Sequence, residues 1–228
     1  MSRFQEVRPR PPLPTPARGT GRALLMGVCA LLTASVAADL FSLYAGIRMH
    51  SEVLGDGGFL FVPEDRLATA EKLFSISDQF RALTMAACAA VFITWFHRMR
   101  RNAGALAPDR FRGGPGWAIG AWFVPFACFW MPYRIAVDMW TVGLRTAPAG
   151  RSAFWPVNLW WGSFAGSVLL SAYGGMRYGR AEDLGALLDA VNVGIAADVL
   201  NVVAAGAAVH FAVRLSRSLT PPTGTTSA

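Results

Sequence analysis

The sequence predicts an all-α, polytopic helical membrane bundle with four transmembrane helices and a fifth apolar segment broken by prolines. Three observations predict it. Hydrophobic residues fill 54% of the 228 positions and charged residues only 15%, too apolar and too sparsely charged for an ordinary soluble domain. Several nearly uncharged runs are long enough to cross a hydrocarbon layer of about 30 Å at about 1.5 Å per residue. The basic residues, twenty-one against fourteen acids, crowd at the ends of those runs, as topology-setting charges do.

Residues 1–22 combine Pro9, Pro11, Pro12, Pro14 and Pro16 with arginines, a composition that cannot bury a core, and are expected to be a disordered cytoplasmic tail. A first span is expected over about 23–47, apolar except for Asp39. Arginines before an apolar run with small residues also imitate a secretory signal. Leu40, Phe41, Leu43, Tyr44 and Ile47 carry the run past any plausible cleavage point, which favours a retained anchor. Gly55, Gly57, Gly58 and Pro63 mark a loop. Helical patterning resumes at Leu67, partly amphipathic to Arg81, and ends in an uncharged stretch that makes a second span over about 82–97.

Gly113 to Gly116 break the chain before the uncharged tract Trp117 to Tyr133. Pro125 and Pro132 within that tract remove backbone donors and invite a kink. The segment 117–145 is therefore expected to be re-entrant or interfacial, with a full fifth crossing as the alternative. Further spans are expected over about 157–176, opening on Trp155, Trp160 and Trp161, and about 187–213, followed by a disordered tail over 218–228. If segment 117–145 returns to its starting side, fifteen of the twenty-one basic residues fall inside. If it crosses, only twelve do. The positive-inside rule thus favours four crossings with a cytoplasmic N-terminus in the cell membrane.

Cys29, Cys88 and Cys128 stand singly in apolar runs, and His50, His97 and His210 are dispersed, so no metal set is read from the sequence. G-x-S-x-G, H-E-x-x-H and Walker A patterns are absent, and neither an enzyme nor a cofactor is expected. The net charge of +7 lacks the basic stripe with interleaved aromatics of a nucleic-acid surface. The expected partners are the bilayer, anionic lipid headgroups, and a second copy or another membrane protein.

Two groups of residues are candidate sites. Charges inside apolar spans cost about 2.5–3.5 kcal/mol unless paired, which singles out Asp39 and Asp198. Arg81 lies at a depth from which it can reach Asp39. Asn201, Val191, Gly194, Ala205 and Ala208 share the Asp198 face, a small-residue stripe suited to close helix packing. These acids are either an interhelical clamp or part of a relay or polar pocket. The second group is interfacial: Trp95, Arg98 and Asn102 at i, i+3 and i+7, then Trp117, Trp122, Pro125, Trp130, Pro132, Arg134 and Asp138, as contacts to headgroups. Gly116-x-x-x-Gly120 and Gly162-x-x-x-Gly166 are candidate helix-contact pairs.

The W-x-x-R-x-x-x-N element at Trp95, Arg98 and Asn102, the tract GWAIGAWFVPFACFWMPYR and the Trp160-Trp161 pair together resemble the bacterial membrane family known as domain of unknown function 4328, over roughly residues 75–215. The resemblance implies a multi-pass membrane protein of actinobacteria and related bacteria, in keeping with the near-exclusive use of arginine over lysine. It implies no activity and carries over no site residue. The leading expectation is a non-enzymatic module acting by helix or partner association. A small transporter or channel using Asp39 and Asp198 is the alternative, and a membrane-embedded enzyme the third.

Overall fold

The computed structural model describes residues 18–54, 64–144 and 154–219, and among these no residue is in a strand. Among the described residues six α-helices follow one another: α1 (Arg18–Leu54), α2 (Glu64–Leu106), α3 (Trp117–Gly120), α4 (Met131–Gly143), α5 (Trp155–Tyr178) and α6 (Leu184–Ser218). The helix α1 begins at Arg18, inside the stretch expected to be a tail. Once the apolar helix exists, another turn is added cheaply. Most of that expected tail, and the C-terminal one beyond Leu219, lie outside the described residues.

Three helices hold segments long and apolar enough to cross a membrane: Gly21–Ile47 of α1, Ser75–Leu106 of α2 and Leu188–Ser218 of α6. Met26, Leu83 and Val199 on these segments are each more than half exposed, a surface that suits lipid and would be costly in water. The fourth expected span, 157–176, lies in α5. At 24 residues α5 reaches about 36 Å, but its tryptophans, glycines and serines lower its hydropathy, and it is not among the three segments. Length and composition therefore single out three crossing helices, where four were expected.

The uncharged tract after α2 forms no continuous helix. It contains the short α3, a 3-10 turn over Ala127–Phe129, and α4. Phe126, after Pro125, adopts φ 64°, and the Ala127 N–H donates to the Pro125 carbonyl at 2.8 Å, the geometry of a strained γ-turn. Pro132 sits in the first turn of α4, where a missing N–H costs nothing. The two prolines thus act at different places, one turning the chain and one starting a helix.

Side-chain contacts define how the helices run. The Trp95 indole N–H of α2 donates to Ser216 Oγ of α6 at 3.2 Å, so α6 finishes near the level of Trp95 while α2 continues to Leu106. Gly27 of α1 faces Val91, antiparallel to α2. Trp155 of α5 meets His210 of α6 with centroids 5.2 Å apart, whereas Gly174 lies against Ala190 and Gly194, so α5 and α6 are antiparallel and close. Asp183 caps α6, accepting from the Ala186 N–H at 2.7 Å. Trp140 of α4 packs on Phe211 at 5.7 Å. The chain consequently leaves α2 and enters α5 at the same end of the bundle.

That end holds an aromatic core. Trp160 stacks on Phe211 at 5.0 Å and 5°, and Trp95 meets Phe211 edge-on at 5.9 Å. Val28, Phe96, Met99, Met139 and Leu215 fill the space around them.

Candidate functional site

Three helices bring four polar side chains together. Arg81 of α2 lies between two acids, with Nη1 2.8 Å from Asp198 Oδ1 of α6 and Nε 3.4 Å from Asp39 Oδ1 of α1. Asn201 Nδ2, one turn beyond Asp198, donates to Asp39 Oδ2 at 2.6 Å. The Arg81–Asp198 approach is short but poorly aligned for a hydrogen bond, so it is an ion pair first. The Asp39 side chain is 2% exposed, that of Asp198 13% and that of Arg81 27%. The whole group expected from the sequence thus meets in space, some 20 Å along α2 and α6 from Trp95 and Phe211.

The charges do not balance. Two carboxylates face one guanidinium, which leaves one negative charge in surplus unless a proton or another cation joins them. Pairing answers the cost of burying ions in a low dielectric only in part. The network also has space beside it. A cavity of about 160 Å³ is lined by Asp39, Arg81 and Asn201 at one end and by Phe92, Trp122, Trp160 and Phe164 elsewhere, with small Ala204, Ala205 and Ala208 beneath. The alanine stripe of α6 that allows close packing also leaves this volume open.

The interfacial residues fall into two sets. Arg98 and Asn102 are half-buried, Trp117 and Trp130 are exposed, and Arg134 is exposed on α4. Trp95 is 0% exposed and Pro132 is buried, so neither is a headgroup contact. Trp95 faces α6, where it donates to Ser216 and meets the Phe211 ring. Trp122 is half-buried and meets Phe92, Phe96, Trp161 and Phe164 through its ring, placing it over the cavity. Its indole N–H is buried without a hydrogen-bond partner. Burial raises the Asp138 carboxyl above the ordinary carboxylate range, against the pull of Arg134, Arg110 and Arg100. Of the glycine pairs, Gly166 lies against Leu200, whereas a Cβ added at Gly162 or Gly116 would meet open space and one at Gly120 only Trp117 of its own helix.

Sequence reasoning missed Arg100. It was grouped with charges that set orientation, yet it is 6% exposed, donates from Nη2 to the Gly113 carbonyl at 2.7 Å and stacks at 3.6 Å over Phe111. Beside it, His97 Nδ1 donates to the Pro115 carbonyl at 3.0 Å. Together they fasten the connection after α2 to that helix. The available signal was spacing: Arg100 follows Phe92 and Phe96 at i+8 and i+4, on the buried face.

A family model described as Domain of unknown function (DUF4328) matches residues 60–217. No curated protein and no solved structure matches the chain.

Proposed function

The chain belongs to the family described as a domain of unknown function, DUF4328, and from that premise we propose a membrane protein that acts without covalent chemistry, by holding a small membrane-soluble molecule beside the Asp39–Arg81–Asp198–Asn201 network. One observation carries the proposal: a buried network of two acids, one arginine and one asparagine borders a cavity with aromatic walls. A purely structural clamp gains nothing from a surplus charge or from empty volume beside it. Binding sites combine an apolar concavity with a few convergent polar groups in this way.

Four crossings, by α1, α2, α5 and α6, fit the proposal best. Support comes from the shared end at which α2 finishes and α5 begins, where Arg98, Arg101, Arg134, Arg214 and Arg217 also collect. By the positive-inside rule that end faces the cytoplasm, with the N-terminus, across the cell membrane. Cysteines at Arg134 and Arg214 are then protected from an impermeant thiol reagent in intact cells and modified in inverted vesicles. Labelling of the first in intact cells overturns the four-crossing arrangement.

The binding role is tested by native mass spectrometry from mild detergent. Wild-type protein retains a small adduct, and Ala205→Phe, which fills the cavity, loses it. Identical spectra for both remove the reading. Association, the leading expectation from sequence, stands second; Phe123, Phe126 and Phe129, all exposed on the broken segment, favour it. Cross-linking through cysteine at Phe126 that recovers neither a second copy nor another chain would leave it without support.

A further inference from the structure

The cavity and its charges specify more than a generic apolar ligand. Its polar end carries the Asp39 carboxylate, the Arg81 guanidinium and the Asn201 amide, and Arg81 is already shared with Asp198, which does not itself line the cavity. An anion would find no uncommitted cation there and would add to the surplus. A neutral molecule would leave the surplus to a proton. A single positive charge cancels it.

The remaining walls supply the second criterion. Phe92, Trp122, Trp160 and Phe164 all line the volume, and aromatic faces attract a weakly hydrated cation while excluding the water that a metal ion or ammonium would need. The volume, about 160 Å³, suits roughly a dozen non-hydrogen atoms and is too apolar for a hydrated ion. Access supplies the third. Its rim includes exposed Met85 and Ala89 of α2 and half-buried Phe164 of α5, while α1 and α6 pack together beneath. The opening therefore lies on the flank of the bundle between α2 and α5, at a level where a crossing helix meets lipid. A ligand entering there must partition into the bilayer before it binds.

We infer that the cavity takes a lipophilic organic monocation, its charge beside Asp39 of the network that Arg81 and Asp198 complete and its apolar body among the aromatic rings. This rests on the binding role proposed above and names the ligand class for it.

The test compares benzyltrimethylammonium with neopentylbenzene, its uncharged isostere, by tryptophan fluorescence of the full chain in nanodiscs of zwitterionic lipid, with empty nanodiscs subtracting partition. The cation is expected to bind saturably and at least about tenfold more tightly than the isostere. Asp39→Asn and Asp198→Asn should each weaken it by about tenfold, and Ala205→Phe should abolish binding of both compounds. If the Asn variants do not fold, the wild-type comparison of charged and uncharged ligand decides alone. Equal affinity for the two, with both lost in Ala205→Phe, overturns the cation specificity and leaves the cavity's binding role intact. No saturable binding of either compound overturns both. A cation bound equally by wild type and by the Asp39→Asn/Asp198→Asn double variant also overturns the inference, since the charge would then be read elsewhere.

Discussion

Replacing Arg81 by Met removes the cation that both Asp39 and Asp198 contact, while keeping most of the side-chain volume. Removing one partner of a fully buried ion pair costs about 3–5 kcal/mol. Arg81 is 27% exposed, so water screens part of the loss and about 2–4 kcal/mol is expected. Asp198→Asn behaves differently. It removes the surplus negative charge and leaves Arg81 beside Asp39, so its cost should be near that of one hydrogen bond, about 1 kcal/mol. The triple variant Arg81→Met/Asp39→Asn/Asp198→Asn contains no ion and should fall within about 1 kcal/mol of wild type, because ion-free replacements of buried pairs are often neutral. Reversible unfolding in mixed micelles, followed by circular dichroism, measures all three, and the interaction energies show the coupling. If Arg81→Met is no more destabilising than Asp198→Asn, the unbalanced network is not what holds these helices together.

Trp95→Phe removes the indole donor to Ser216 and part of a fully buried ring, and should cost about 1–2 kcal/mol, whereas Trp155→Phe at a half-exposed position should change stability little; the same unfolding assay compares them. Arg100→Met releases the Gly113 carbonyl and the stacking on Phe111, a loss of about 1.5–3 kcal/mol that limited proteolysis should read as faster cleavage within 107–116. Gly174→Val forces a Cβ to 3.3 Å from Val193 and adds two methyls against the α6 backbone near Ala190; about 1–3 kcal/mol is expected, and disulfide trapping between cysteines placed in α5 and α6 should slow.

The helices of the bundle were largely legible because their signal is local. Charge-free runs and the patterning of 67–97 depend only on neighbours in sequence, and α1, α2 and α6 follow them closely. Helix ends were less so. Helix already covers Arg18 to Arg22 and α2 continues to Leu106, past the expected tail and span limits, because an existing helix extends at little cost. The residues Asp39, Arg81, Asp198 and Asn201 were identifiable because a charge in an apolar run is conspicuous and must find a partner. The same rule hid Arg100, whose charge looked like one of several ending a span.

Composition by itself determined an all-helical chain with apolar helices suited to a membrane, and it marked which buried charges needed partners. Only the tertiary structure decided which partners they have. Asp39 and Asn201 stand 162 positions apart, and no pattern along the chain states that α1 and α6 are neighbours. It also decided that one arginine serves two acids, that Trp95 faces protein, and that the Pro-broken tract folds back so that Trp122 covers a cavity. The physical reason is that propensity and hydropathy are summed along a segment, whereas charge balance and empty volume are properties of surfaces brought together by packing.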